Sequence, residues 1–245
     1  MILDLDIGNS RCKWRLTGGQ GRGVFSIAEF FAGDELPWGC DLIKVHRVRV
    51  CSVRSADENQ LIALRLERKL QVAPEFATPC REVGGLLNGY VNPESLGVDR
   101  WLAMLGARIH ASGPLIVADA GTALTVDCIS ADGQHLGGYI LPGREQMLQA
   151  LNQNTQRVRV DNSRNEVRLQ PGRDTASCVS AAATAAARGC VLAAAAALPA
   201  NSQLILCGGD AAWLAAACAD VPLAQRLVAD LVLDGLALSL PAEFD

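Results

Sequence analysis

Two short segments place an acid, a glycine and a small polar residue directly after an apolar run. The first is Asp6-Ile7-Gly8-Asn9, preceded by Ile2-Leu3-Asp4-Leu5 and followed by Ser10-Arg11-Cys12-Lys13. The second, about half a chain later, is Asp119-Ala120-Gly121-Thr122, preceded by Leu115-Ile116-Val117-Ala118. Each reads as strand, tight turn and strand, with glycine where the backbone angles are unusual. Backbone N–H groups and Asn, Ser or Thr side chains can cup phosphate oxygens there, and Lys13 adds a positive charge. An aspartate would repel bare phosphate. The pattern therefore suits a metal-bound nucleotide, with hydrated Mg²⁺ standing between carboxylate and phosphate. A pair of ordinary Asp-x-Gly turns is the competing reading.

Further candidates lie outside these turns. Asp99-Arg100 follows Gly97-Val98, and phosphoryl transfer to a hydroxyl needs a group that accepts its proton. Asp99 can do that, while Arg100 can grip a carboxylate or amide of the acceptor. The alternative is a solvent-exposed pair at a helix start, worth little to stability. Leu204-Ile205-Leu206-Cys207 is a short apolar strand running into Gly208-Gly209-Asp210, where a flat ligand could approach the backbone closely. Asp210 could equally cap the helix that follows. Gly18-Gly19-Gln20-Gly21-Arg22-Gly23 lacks the dinucleotide spacing and reads as a flexible loop. His46, His110 and His135 stand near no nucleophile and receive no catalytic role.

The elements that position these groups form an α/β pattern. A hairpin is expected over 2–16, a strand at 48–53, and a helix over 57–70 with Leu61, Leu64 and Leu66 near one face. A second helix is expected over 101–110. Strands at 115–119 and 126–130 follow, then a turn at Asp132-Gly133 into the strand 137–141. Pro142-Gly143 precedes a helix at 145–151, and a long Ala-rich helix covers 175–197. The duplicated turns predict two domains, 1–112 and 113–245. Arg157, Arg159, Arg164, Arg168 and Arg173 read as a solvated loop in preference to a binding patch.

Half of the 245 residues are hydrophobic and a fifth are charged, as in a folded globular protein. A net charge of −4 argues against a protein whose main partner is nucleic acid. Nine cysteines without C-x-x-C pairs, and no histidine at zinc-ligand spacing, argue against a disulfide scaffold or a structural zinc site. The N-terminus lacks a basic leader, and the Ala-rich stretch 181–200 is interrupted by Arg188, so no membrane partner is expected. The expected location is the cytoplasm.

In this order over nearly the full chain, the segment 6–13, Gly97-Val98-Asp99-Arg100-Trp101-Leu102-Ala103, Asp119-Ala120-Gly121-Thr122-Ala123, Gly137-Gly138-Tyr139-Ile140-Leu141-Pro142-Gly143 and Gly208-Gly209-Asp210-Ala211 resemble the motifs of the type III pantothenate kinases. The resemblance implies two duplicated ribonuclease-H-like domains of the actin, hexokinase and acetate-kinase superfamily. It implies ATP-dependent phosphorylation of pantothenate, the first step of coenzyme A synthesis, by a homodimer using Mg²⁺ and a monovalent cation, K⁺ or NH₄⁺.

Carried over by residue, Asp6, Ile7, Gly8, Asn9, Ser10, Arg11, Cys12 and Lys13 look like the ATP phosphate loop, with Asp6 near the Mg²⁺. Thr122 looks like a second ATP contact and Asp119 like the monovalent-cation ligand. Tyr90 with Gly97, Val98, Asp99 and Arg100 looks like the pantothenate site, with Asp99 as proton acceptor. Thr175 matches a further pantothenate contact expected from across the dimer interface. Cys207 departs from the Thr that many relatives carry before Gly-Gly-Asp.

Two rival readings remain at this level: a kinase of the same superfamily acting on another small hydroxyl compound, and a non-catalytic regulator on the same scaffold. Intact Asp6, Lys13, Asp99 and Asp119 weigh against the regulator.

Overall fold

The computed structural model describes residues 1–18, 21–32, 45–154 and 167–241. They form two compact units, 1–109 with 231–245, and 110–230. In the first unit β1 (Ile2–Ile7) and β2 (Arg11–Thr17) make the expected hairpin, and β3 (Arg22–Ser26) pairs antiparallel to β2. Helix α1 (Ile27–Phe31) follows. Strand β4 (Arg47–Ser52) runs parallel to β1, helix α2 (Ala56–Leu70) crosses over, and β5 (Pro74–Phe76) runs parallel to β4. A short hairpin, β6 (Glu82–Val83) and β7 (Leu86–Leu87), precedes helix α3 (Val98–His110).

The second unit repeats the plan. Strands β8 (Leu115–Ala120), β9 (Ala123–Ile129) and β10 (His135–Pro142) form the antiparallel half, followed by α4 (Arg144–Asn154) and α5 (Thr175–Ala196). Strand β11 (Gln203–Cys207) pairs parallel to β8, helix α6 (Ala211–Ala217) follows, and β12 (Ala224–Leu227) runs parallel to β11. The strand orders are β3-β2-β1-β4-β5 and β10-β9-β8-β11-β12, so the same sheet is built twice.

The chain then returns to the first unit as helix α7 (Leu231–Ser239), which packs on β1 and β4. This corrects the expectation that all of 113–245 belongs to the second domain. A C-terminal segment without a turn motif of its own carries no sequence mark of the sheet it will join.

Alternation along β1 explains both the core and the placement of the acids. Leu3, Leu5 and Ile7 are fully buried on one face with Val48, Val50 and Ile62. Asp4 and Asp6 point to the other face. In α2, Ile62 and Leu66 are buried four residues apart, whereas Leu61 and Leu64 are more than half exposed. The expected Leu61, Leu64 and Leu66 face is thereby corrected, because the i, i+4 pair is the one that points inward. Ser55 and Glu58 close a capping box at the start of α2.

Glycines near the first hairpin also have a packing reason. A Cβ on Gly23 would lie 2.7 Å from Trp14 Nε1, so this residue makes room for a buried indole. The expected flexible loop therefore ends by Arg22, where β3 begins; residues 19 and 20 lie outside the described residues. Of the arginine cluster, Arg157, Arg159 and Arg164 also lie outside them.

Helix α5 is long and apolar enough by length and composition to cross a membrane. Its stripe of Ser180, Ala183, Thr184, Ala187, Val191 and Ala194 is buried, and the helix packs on β8, β9 and β10 of its own unit. One face of the helix is thus packed on its own sheet.

Candidate active site

The β1–β2 turn presents its polar groups at one end of the two interior strands it joins. Gly8 N donates to the Arg11 carbonyl at 2.9 Å, closing the turn, and Asn9, Ser10 and Arg11 are exposed. Antiparallel register sets Lys13 directly across from Asp6, so a cation and a carboxylate share the base of the turn. Ile7 and Cys12 are fully buried beneath it. Burial, and then the charge of Asp6, push the Cys12 thiol up. Those two residues can offer a phosphate their backbone but not their side chains.

A cation unforeseen in the sequence reading joins this turn. Arg54, just beyond β4, donates from Nη1 to the Asn9 carbonyl at 3.1 Å and pairs with Glu58. Its signal was position: β4 runs parallel to β1, so its exit lies beside the β1 turn.

The acceptor-type residues gather in the same unit. Gly97 O accepts from Trp101 N at 3.0 Å in the first turn of α3, and Asp99 Oδ1 accepts from Arg100 N at 2.8 Å. Arg100 is buried, and its Nη1 donates to the Tyr90 hydroxyl at 2.8 Å. Its guanidinium lies 5.7 Å from the centre of the Tyr90 ring.

Tyr90 is held by Asn88, another residue absent from the predicted site. The buried Asn88 amide donates to the carbonyls of Cys80 and Pro93 at 3.1 Å each, and its Oδ1 accepts from Tyr90 N at 3.0 Å. A buried amide with this many partners fixes a loop that has little regular structure of its own. The Asn-Gly dipeptide marks a turn in the sequence, but not which backbone groups it ties together.

In the second unit the β8–β9 turn has Thr125, not a lysine, opposite Asp119. Thr122 is exposed, and its carbonyl accepts from Gly143 N at 2.9 Å. Asp210 N donates to the Ala120 carbonyl at 2.8 Å, and the Asp210 side chain makes no cap hydrogen bond to α6. Of the two roles open to Asp210, capping is therefore the one this geometry does not use. Gly121, Gly143, Asp210, Trp213 and the buried Arg144 line a crevice with room for about one water molecule. Arg144 lies over the Trp213 ring at 5.6 Å. Thr175 is the exposed first residue of α5, after an Asp174 cap whose carboxyl is held low by hydrogen bonds from Ser177.

Among the described residues no three His, Cys, Asp or Glu side chains are grouped to hold a metal ion. A hydrated Mg²⁺ needs only one or two carboxylates beside substrate phosphates, and Asp6 at the base of a polar turn meets that need.

A family model for type III pantothenate kinase matches residues 2–197. A type III pantothenate kinase from Ectopseudomonas mendocina is 40% identical over 250 residues, 98% of this chain and 99% of that protein. One from Pseudomonas syringae pv. syringae is 39% identical, with 98% and 99% covered. Among solved structures, a Campylobacter jejuni protein described as a Baf family transcriptional activator superposes with a TM-score of 0.66 at 20% identity, covering 97% of this chain and 96% of that one. Porphyromonas gingivalis acetate kinase superposes with a TM-score of 0.51 at 12% identity, covering 96% and 98%. At those identities the two structures speak for the fold alone, which the chain shares with acetate kinase. With both turns, the Asp99-Arg100 helix start and full-length relatives agreeing, the chain belongs to the type III pantothenate kinase family, the enzymes that phosphorylate pantothenate with ATP to begin coenzyme A synthesis.

Proposed function

We propose that the chain moves the γ-phosphoryl group of ATP in line to the primary hydroxyl of pantothenate, with Asp99 taking the hydroxyl proton. A bond forms between the hydroxyl oxygen and the γ-phosphorus, the bond to the β–γ bridging oxygen breaks, and ADP leaves. The observation that carries this reading is the buried Arg100, hydrogen-bonded to Tyr90 and next in sequence to Asp99 at the start of α3. It offers a fixed cation for the acceptor's carboxylate or amide beside a carboxylate for its proton. Gly97 and Val98, at the same helix start, belong to that acceptor site.

The 6–13 turn is the seat of the ATP phosphates, through backbone N–H groups, Asn9, Ser10, Arg11 and Lys13. Asp6 is the residue that would hold a hydrated Mg²⁺, which when bound neutralises charge on the phosphate oxygens. Thr122 serves as a second ATP contact, and Asp119 as a ligand for K⁺ or NH₄⁺. Thr175 belongs to the acceptor site of a second copy of the chain, which makes the working form a homodimer. The enzyme works in the cytoplasm on two small substrates.

The test is an ATP-coupled assay with pantothenate, run with and without K⁺ or NH₄⁺, on the wild type and Asp99→Asn. Asparagine keeps the shape and cannot take a proton. Positioned bases contribute about 10²- to 10⁴-fold, so kcat should fall by that order while ATP affinity is retained. A folded Asp99→Asn enzyme within threefold of wild-type kcat removes Asp99 as the base.

A further inference from the structure

We infer that the C-terminal helix α7 is a positioning element for the acceptor site, and that Gly235 sets where the first turns of α3 lie. The inference rests on the assignment of Asp99, Arg100 and Tyr90 to that site. Helices α3 and α7 approach backbone to backbone at two glycines. A Cβ on Gly235 would lie 1.8 Å from the Leu102 carbonyl oxygen, and one on Gly106 would lie 2.0 Å from the Leu231 carbonyl oxygen. Packed helices ordinarily keep about 8–10 Å between axes because side chains interdigitate, and those side chains can adjust. Here backbone rests on backbone. Leu102 is less than one turn from Asp99, so any displacement of α7 passes into the segment that carries the base.

The same helix also lies beside the hairpin that leads to Tyr90. At Gly84, in the turn between β6 and β7, an added Cβ would lie 3.8 Å from Leu105 Cδ2 of α3 and 3.9 Å from Leu238 Cδ1 of α7. That hairpin leads straight into Asn88 and Tyr90. Helix α7 thus packs on the helix that carries Arg100 and beside the hairpin that leads to Tyr90.

Three arginines on the sheet hold α7 in place. Arg15 donates to Asp234 Oδ1 at 2.6 Å and to the Leu233 carbonyl at 2.8 Å. Arg49 donates to the Leu240 carbonyl at 2.9 Å, and Arg47 to the Pro241 carbonyl at 2.6 Å. The Arg49 bond satisfies a carbonyl that the helix C-terminus leaves open, the Arg47 bond holds the residue just past it, and both charges suit the negative end of the helix dipole. Arg49 is itself fixed by the fully buried Asp4, at 2.7 Å. These contacts set the register of α7 on β1, β2 and β4, and the glycine crossing carries that register to α3.

The experiment is steady-state kinetics on full-length Gly235→Ala with both substrates varied, normalised to the fraction of molecules that bind ATP. Reacting groups displaced by an ångström cost about 10²-fold. The pantothenate KM should rise and kcat fall, together about 10- to 100-fold in kcat/KM, with the ATP KM within twofold of wild type. A helix with a purely structural role would lower Tm and the folded fraction while leaving the constants per folded molecule unchanged, and that result overturns the inference.

Because the added methyl could prevent folding, Asp234→Asn provides a second arm that loosens the Arg15 anchor without steric insertion. It should raise the pantothenate KM about threefold, again sparing ATP; an unchanged pantothenate KM counts against the proposal. Asp99→Asn run alongside separates the two readings. If it is fully active, the acceptor-site assignment fails. If it is inactive while both α7 variants keep normal pantothenate constants, only the role of α7 fails.

Discussion

In the first unit the β1–β2 turn gives its Ser10 carbonyl to Ile27 N at 3.1 Å and its Ile7 carbonyl to Val53 N at 3.2 Å. In the second unit the β8–β9 turn gives its Thr122 carbonyl to Gly143 N at 2.9 Å and its Ala120 carbonyl to Asp210 N at 2.8 Å. The braces are the same pair, from the strand beside the hairpin and from the parallel strand. What differs is how close they come. Ile27 and Val53 bring side chains, and three residues separate the first two strands. In the second unit two residues separate the strands, and glycines press on both sides. A Cβ on Gly143 would lie 2.1 Å from the Gly121 carbonyl oxygen. One on Gly208 would lie 2.3 Å from that of Ala120 and 2.4 Å from Asp119 Oδ1. Duplication supplied one scaffold, and the two turns diverged into an open, charged tip with Lys13 and Arg54, and a clenched one without a lysine.

Charge should be the most costly element to exchange. Lys13→Thr copies the residue that the second turn has opposite its aspartate. Charge-assisted contacts are worth about 1.5–3 kcal/mol, so kcat/KM for ATP should fall about 10- to 100-fold with Tm little changed. An ATP titration that leaves kcat/KM within twofold would make the two turns functionally alike, and the comparison would lose its meaning.

Steric closure comes next and should appear in stability. Gly208 has φ +93°, where a Cβ is disfavoured by roughly 1–2 kcal/mol, and overlap with the Ala120 and Asp119 oxygens adds about 1–3 kcal/mol. At roughly 2–4 °C per kcal/mol for a chain of this size, Gly208→Ala should lower Tm by about 10 °C. Gly8→Ala meets only the Arg11 carbonyl oxygen, at 3.2 Å, and should shift Tm by about 3 °C or less. Equal shifts in two thermal melts would show that the second turn is no tighter than the first.

The smallest effect is expected at Arg54, which touches the first turn from outside. One hydrogen bond to a carbonyl contributes about 0.5–1.5 kcal/mol, so Arg54→Gln should raise the ATP KM about threefold and leave the pantothenate KM alone. A pantothenate effect larger than the ATP effect would move Arg54 out of the nucleotide turn.

Local order dictated much of this molecule directly. The repeated strand–Asp-x-Gly–strand pattern announced both hairpins, because strand alternation and small turn residues are properties of adjacent residues; the unusual backbone angles expected at its glycines are absent, since neither Gly8 nor Gly121 has a positive φ. The helix over 57–70 was legible through its apolar spacing and the long helix through its alanine content, again properties of near neighbours, whereas their capping residues emerged only in the fold. The choice of buried face was not, since Leu61 and Ile62 are equally apolar and only the sheet beneath selects Ile62. Tyr90, Asp99 and Arg100 were readable as candidates from their motif, but their joining through a 2.8 Å hydrogen bond depends on how Asn88 folds the loop. Arg54, Asn88 and the arginine clamp on α7 escaped because each acts on a carbonyl, and a carbonyl has no letter in the sequence. Glycines at 106 and 235 carry no signal apart; their meaning arises where two helices far apart in the chain meet backbone to backbone. The sequence by itself determined the chemistry on offer and the elements that bear it. Tertiary structure decided which carbonyls the cations reach, and which sheet the last helix joins, since those depend on distances across the fold that no local pattern encodes.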